Sequence, residues 1–238
     1  MHIKRFLLVL GLLCCTSAFA AEPSSAYPQV EIQTNHGSFV VELYPDKAPK
    51  TVANFLEYVA NNFYPGTVFH RTINRFMIQG GGLTTELKEK TSMAPSIKTG
   101  LTATSKENVV LPSIPNESNN GLKNERGTLA MARAFEPDSD TSQFFINLQD
   151  NKFLNYYKPD PHYIGYCVFG KVIRGMEVVE NIGQLPTKSV GQYTNVPQQA
   201  VIIEKVALLE KPIEGGTEAV APNKSKSSKP ASKGKKRG

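Results

Sequence analysis

The stretch FHRTINRFMIQGGG, residues 69–82, sets one guanidinium (Arg71) and one amide (Gln79) beside Phe76, Met77 and Ile78, then ends on three glycines. A core strand does not need the polar pair, and a surface loop does not need the apolar three. Further along, SQFFINL alternates. Phe144, Ile146 and Leu148 fall on one face, and Gln143, Phe145 and Asn147 on the other. The first face reads as core, whereas the second repeats the mixture of amide and ring. Brought together, the two stretches form a shallow apolar pocket rimmed by Arg71, Gln79 and Gln143. Such a pocket offers a permanently protonated fork of donors beside apolar walls. Its chemistry is to hold an apolar group and stabilise a polar centre next to it, with no covalent step.

Other chemistries find no footing. There is no G-x-S-x-G elbow for a serine nucleophile, and QGGG lacks the lysine and spacing of a phosphate loop. His36, His70 and His162 are far apart and have no metal-ligand spacing, so neither a metal nor a cofactor is expected. Cys167 lies in the apolar run YIGYCVFG and reads as a buried, inert thiol.

The elements that must position these groups are mostly short strands. VEIQTNHGSFVVELYP alternates Val30, Ile32, a turn at Asn35-His36-Gly37, then Phe39, Val41 and Leu43, which predicts a hairpin. KTVANFLEYVANNFY places Val52, Phe55, Leu56 and Val59 on one helical stripe, with Pro49 suited to the first turn. GTLAMAR and SQFFINL read as short strands, HYIGYCVFGKVI as a longer one, and QAVIIEKVALLE as the closing strand. GMEVVENIGQL is a second helical stretch, weakened by Gly183. Residues 83–126 read as polar loops with short extended pieces such as ENVVLPSI. Many short strands with two well-separated helices predict a mainly β protein, a closed antiparallel barrel with helices over its ends.

Both chain ends differ from this body. Lys4 and Arg5, the apolar run 6–13 and the A-x-A site at residues 18–20 read as a signal peptide over residues 1–20. No later run is long enough to span a bilayer. Export to the periplasm, or beyond it, is the expectation. Removing the leader leaves Cys167 alone, so no internal disulfide can form. Residues 21–28 read as a short disordered lead, 29–211 as the folded domain and 212–238 as a disordered basic tail. Residues 223–238 hold seven Lys or Arg and no acid. Taking that +7 and the leader's +2 from the net +6 leaves −3 for residues 21–222. The high pI therefore belongs to the tail, a solvated extension or a contact for anionic surfaces. It has no interleaved aromatic to signal specific nucleic-acid binding.

FHRTINRFMIQGG, GTLAMAR, SQFFINL and FGKVIRGMEVVENI, in this order and spacing, resemble the cyclophilins, peptidyl-prolyl cis/trans isomerases, and most closely their bacterial periplasmic branch. The resemblance runs from about Val30 to Lys211. It implies an eight-stranded antiparallel barrel capped by two α-helices, acting on proline-containing polypeptides in unfolded or flexible segments, and expected as a monomer. It places the catalytic arginine on Arg71 and the proline pocket on Phe76, Met77, Phe145 and Leu154. It assigns Gln79 and Gln143 to the substrate backbone, and Ala132, Arg133 and Ala134 to the strand along which the peptide lies. Phe153 stands where many members have tryptophan, and Tyr166 where many have histidine. The chain has no tryptophan at all, so the family's cyclosporin binding, which leans on that residue, is not carried over. Simple alternation sends Phe76 and Met77 to opposite faces, so a pocket holding both needs a bend between them. A proline-peptide binding module with incidental turnover is the second reading of the same residues.

Overall fold

The computed structural model describes residues 27–91 and 110–213. The expected signal peptide lies outside these residues, as do nearly all of the lead and basic tail and much of the 83–126 loop. Among the described residues there are ten strands, β1 (Gln29–Thr34), β2 (Gly37–Leu43), β3 (Thr67–Ile73), β4 (Met77–Thr84), β5 (Thr128–Met131), β6 (Phe144–Asn147), β7 (Val168–Arg174), β8 (Thr187–Val190), β9 (Tyr193–Pro197) and β10 (Ile203–Leu208). Two helices, α1 (Pro49–Ala60) and α2 (Met176–Gly183), follow β2 and β7.

Eight strands form one antiparallel sheet in the order β10-β1-β2-β7-β5-β6-β4-β3. The sheet closes on itself where Phe69 N donates to Val201 O at 2.9 Å and Gly66 N to Ile203 O at 2.8 Å. This is the expected barrel, and its interior follows from period-2 alternation. Val30, Ile32, Phe39, Val41, Leu43, Phe144 and Ile146 are all in the buried core. Phe55 of α1 enters that core as an aromatic hub, with ring centroids 5.2 Å from Tyr64, 5.7 Å from Phe144 and 5.4 Å from Phe169. Burial of rings of this size dominates core energetics, and among the described residues the one cysteine, Cys167, is free. Pro49 starts α1, and Val179 and Ile182 are the buried residues of α2's apolar side.

Two expectations are corrected. HYIGYCVFGKVI is not one long strand: β7 begins only at Val168. Gly165 takes φ +71, and its position is pressed against the Asn155 carbonyl carbon, Leu154 O and Tyr156 N, so a side chain there would clash. The chain before it is held as a loop. Second, β8 and β9 form a separate hairpin over the outside of β3, absent from the sequence reading. Its signal was present: β-branched and aromatic residues (Thr187 and Val190, then Tyr193, Thr194 and Val196) flank Gly191-Gln192, with Gly191 at φ +56.

Candidate active site

The opening stretch builds two strands and their turn. Residues 74–76 form the turn between β3 and β4, with Arg75 at φ +56. That turn supplies the required bend, because Phe76 belongs to it while Met77 begins β4. A bulge at His70 resets the register, so Arg71 pairs directly with Gln79. Gln79 in turn pairs with Phe145, and Phe145 with Ala130. Cross-strand partners share a face of the sheet. Arg71, Gln79, Phe145 and Ala130 therefore form one row across β3, β4, β6 and β5, on the side opposite the barrel core.

A second apolar cluster sits on this outer face, with Met77, Ala130, Phe145 and Val168 buried and Phe76, Ala132, Leu154 and Tyr166 packed around them. Above it opens a cavity of about 180 Å³ lined by Arg71, Phe76, Met77, Gln79, Ala132, Arg133, Phe145, Leu154 and Tyr166. Nine of the twelve residues singled out in the sequence thus meet at one cleft. The other three adjoin it. Gln143 accepts a hydrogen bond from Gln79 Nε2 at 3.1 Å. Phe153 stacks on Phe76 with centroids 5.7 Å apart, its side chain standing in solvent. Ala134 is exposed and hydrogen-bonded to Ser139 Oγ, outside the lining. Ala132, Arg133 and Ala134 are not in a strand, because β5 ends at Met131.

The glycine run has a packing reason. A Cβ at Gly82 would clash with Gln143 Cγ, so only glycine lets Gln143 lie across β4 toward Gln79.

The two arginines of the cleft differ sharply. Arg133 donates to the carbonyls of Gly165, Ala134, Phe135 and Pro161 at 2.9–3.1 Å, and its guanidinium lies 4.9 Å over the Tyr166 ring. Among the described residues, no side chain or carbonyl hydrogen-bonds or ion-pairs with Arg71. Its neighbour His70 is buried, and burial first, then the nearby Arg71 charge, pushes its imidazole down to about 4 despite the Val68 carbonyl. Near neutral pH, Arg71 is therefore the cation at that corner. Cys167 is buried away from the lining, and burial pushes its thiol up to about 12. Among the described residues no group of three or more His, Cys, Asp or Glu could hold a metal.

A family model described as cyclophilin type peptidyl-prolyl cis-trans isomerase/CLD matches residues 29–208. A peptidyl-prolyl cis-trans isomerase of Acinetobacter baylyi is 48% identical over 206 residues, covering 87% of this chain and 96% of that protein. Peptidyl-prolyl cis-trans isomerase B of Escherichia coli is 47% identical over 181 residues, covering 76% and 99%. A solved Cryptosporidium parvum cyclophilin type isomerase, in the presence of the dipeptide Ala-Pro, superposes with TM-score 0.57 at 27% identity, covering 77% and 99%.

The chain belongs to the cyclophilin family. Its activity is peptidyl-prolyl cis/trans isomerisation. This cyclophilin also has a layer of the site that reading by motif missed, a buried asparagine network behind the cleft. Asn147 donates to Thr128 Oγ1 at 2.9 Å and to Asn124 Oδ1 at 3.2 Å. Asn151 donates to Asn147 Oδ1 at 2.7 Å and to the Phe76 carbonyl at 3.0 Å. Asn124 reaches the carbonyls of Leu154 at 3.0 Å and Tyr166 at 3.3 Å. The network thus fixes the backbone of three lining residues. Only Asn147, on the same face of β6 as Phe145, carried a sequence signal.

Proposed function

We propose that Arg71 is the catalytic group and that the cleft seats the proline ring of a client polypeptide. An amide resists rotation because its nitrogen lone pair is delocalised into the carbonyl, a barrier of ~18–20 kcal/mol. Uncatalysed X-Pro exchange takes roughly tens to hundreds of seconds. Reaching about a millisecond requires ~4–5 decades, on the order of 6–7 kcal/mol. In the twisted state the nitrogen becomes pyramidal and recovers a lone pair that accepts a hydrogen bond. The Arg71 guanidinium meets that lone pair, which the planar amide does not offer, so the contact favours the transition state selectively. Phe76, Met77, Phe145 and Leu154 hold the ring and exclude water, which strengthens the interaction. Gln79 and Gln143 hold the flanking backbone, Ala132, Arg133 and Ala134 line its path, and Phe153 and Tyr166 complete the walls.

The observation that carries this reading is the unspent Arg71 guanidinium on the cleft, directly across the strands from Gln79. Turnover of a short X-Pro peptide by wild type and Arg71→Ala tests it. A loss well beyond tenfold with an intact fold is expected, and unchanged turnover sinks the assignment.

The leader-like residues 1–20 support export to the periplasm, where the enzyme assists the folding of exported proteins. Fractionation of cells checks that. The basic tail is a solvated extension, with contact to anionic surfaces as its second reading. Binding to anionic vesicles that survives high salt, or truncation after Pro222, contradicts it.

A further inference from the structure

Among the described residues, the exposed phenylalanines and tyrosines are Phe135, Phe153, Tyr157 and Tyr163, with 59%, 73%, 78% and 49% of their surface in solvent. All four belong to the two segments that also supply Ala132, Arg133, Leu154 and Tyr166 to the cleft. Phe153 stacks on Phe76, whereas the other three are joined through His162. Phe135 lies 5.2 Å from the His162 ring, His162 lies 6.4 Å from Tyr163, and Tyr163 lies 6.2 Å from Tyr157. These four rings make a continuous row.

The row is held in place. Tyr157 N donates to Tyr163 O at 2.9 Å, Tyr163 N to Asp160 O at 2.8 Å, and His162 N to Asp160 Oδ1 at 3.0 Å, closing the loop on itself. Arg133 then clamps both sides, donating to the Phe135 carbonyl on one and to the Pro161 and Gly165 carbonyls on the other. Scattered apolar side chains are ordinary on a protein surface, but a contiguous and rigid aromatic patch marks an interaction site.

We propose that this row is a second docking platform for the client chain, seating apolar and above all aromatic side chains within about four residues of the proline. It goes beyond turnover and rests on the reading that the client's proline occupies the cleft. The occupant follows from continuity: Arg133 and Tyr166, in contact through the guanidinium and ring, line the cleft, and Arg133 holds the row. Phe135 is three residues on from the lining Ala132, at most about 11 Å along an extended chain. A polypeptide with its proline in the cleft passes over the row a few residues later. Folded proteins bury most of their aromatic rings, whereas unfolded ones present them. The platform therefore selects unfolded clients over polar loops that merely contain proline.

The test uses two fluorescein-labelled twelve-residue peptides with one central Ala-Pro, flanked by Ser only or by Phe on both sides. Binding is followed by anisotropy with wild type and the double variant Phe135→Ser/Tyr163→Ser, both positions outside the cleft. Turnover of a blocked Ala-Ala-Pro-Ala peptide is measured in parallel. Wild type is expected to prefer the Phe-flanked peptide by about tenfold, as two aromatic contacts imply. The variant loses that preference and keeps short-peptide turnover. Equal affinity for both peptides in wild type, or a preference retained in the variant, overturns the proposal. So does a mass that doubles with concentration in wild type and not in the variant, which assigns the row to a second copy of the chain. Absent short-peptide turnover in wild type counts against Arg71 catalysis, while the binding comparison still judges the row.

Discussion

The Arg133 guanidinium lies 4.9 Å over the Tyr166 ring while its nitrogens donate to four backbone carbonyls on two loops. Its planar fork matches that set of acceptors, and a lysine ammonium does not. Arg133→Lys and Arg133→Ala should therefore behave alike. Both should raise KM for a proline peptide several-fold, with kcat less affected, because the loops that wall the cleft loosen. Stability should fall by on the order of 1–3 kcal/mol. Steady-state kinetics with thermal unfolding checks this, and a lysine variant equal to wild type in KM contradicts it.

Asn151 is fully buried and bridges Asn147 to the Phe76 carbonyl. Asn151→Ala leaves both partners without that donor inside the protein, costing about 1–3 kcal/mol. It also frees the turn that carries Phe76. Turnover should drop several-fold in a variant that still folds, and unfolding curves with peptide kinetics separate the two effects. Asn151→Asp, which keeps an oxygen but loses the donor when ionised, should be no better than alanine.

Two buried groups give opposite dependences on pH. Asp140 is 1% exposed with both carboxylate oxygens lacking a hydrogen-bond partner. Burial, offset by Arg133 and aided by Asp138, pushes its carboxyl up from 3.8 to about 7. Its raised value means the folded state holds the proton, so its contribution is fully present below pH 3.8 and lost as pH rises through 7. His70 is lowered from 6.5 to about 4. Its contribution is present above pH 6.5 and lost as pH falls through 4. Each is worth on the order of 3–4 kcal/mol, and between pH 4 and 6.5 their opposite changes with pH nearly offset, leaving the summed contribution flat. Asp140→Asn should be more stable than wild type at pH 8 and lose that margin toward pH 4. Unfolding in urea across this range measures it. A margin that does not change with pH contradicts the assignment.

The barrel was legible because its first hairpin alternates, as in Val30, Ile32, Phe39 and Val41, which all reach the core. The cleft was legible because the alternation of β6 splits Phe144 from Phe145, sending one ring inward and one to the outer cluster. What escaped was set by tertiary contact. Val168 begins β7 late because Gly165 is pressed against the chain at 154–156. Arg133 is tied to carbonyls that local pattern does not bring near it. Asn124 and Asn151 lie in irregular chain, where an amide has no periodic neighbour to reveal its partner.

Arg71 grips the imide nitrogen only in its twisted state. The decisive measurement compares Arg71→Ala with wild type on one proline peptide, taking Kd from titration and the cis/trans exchange rate of the bound peptide from NMR. The expected Kd is within about threefold of wild type, since the planar amide offers Arg71 no acceptor, and the expected exchange rate is lower by at least about a hundredfold, ~2.7 kcal/mol of lost transition-state stabilisation. A variant that weakens binding and rate by the same factor, or leaves the exchange rate unchanged, contradicts it.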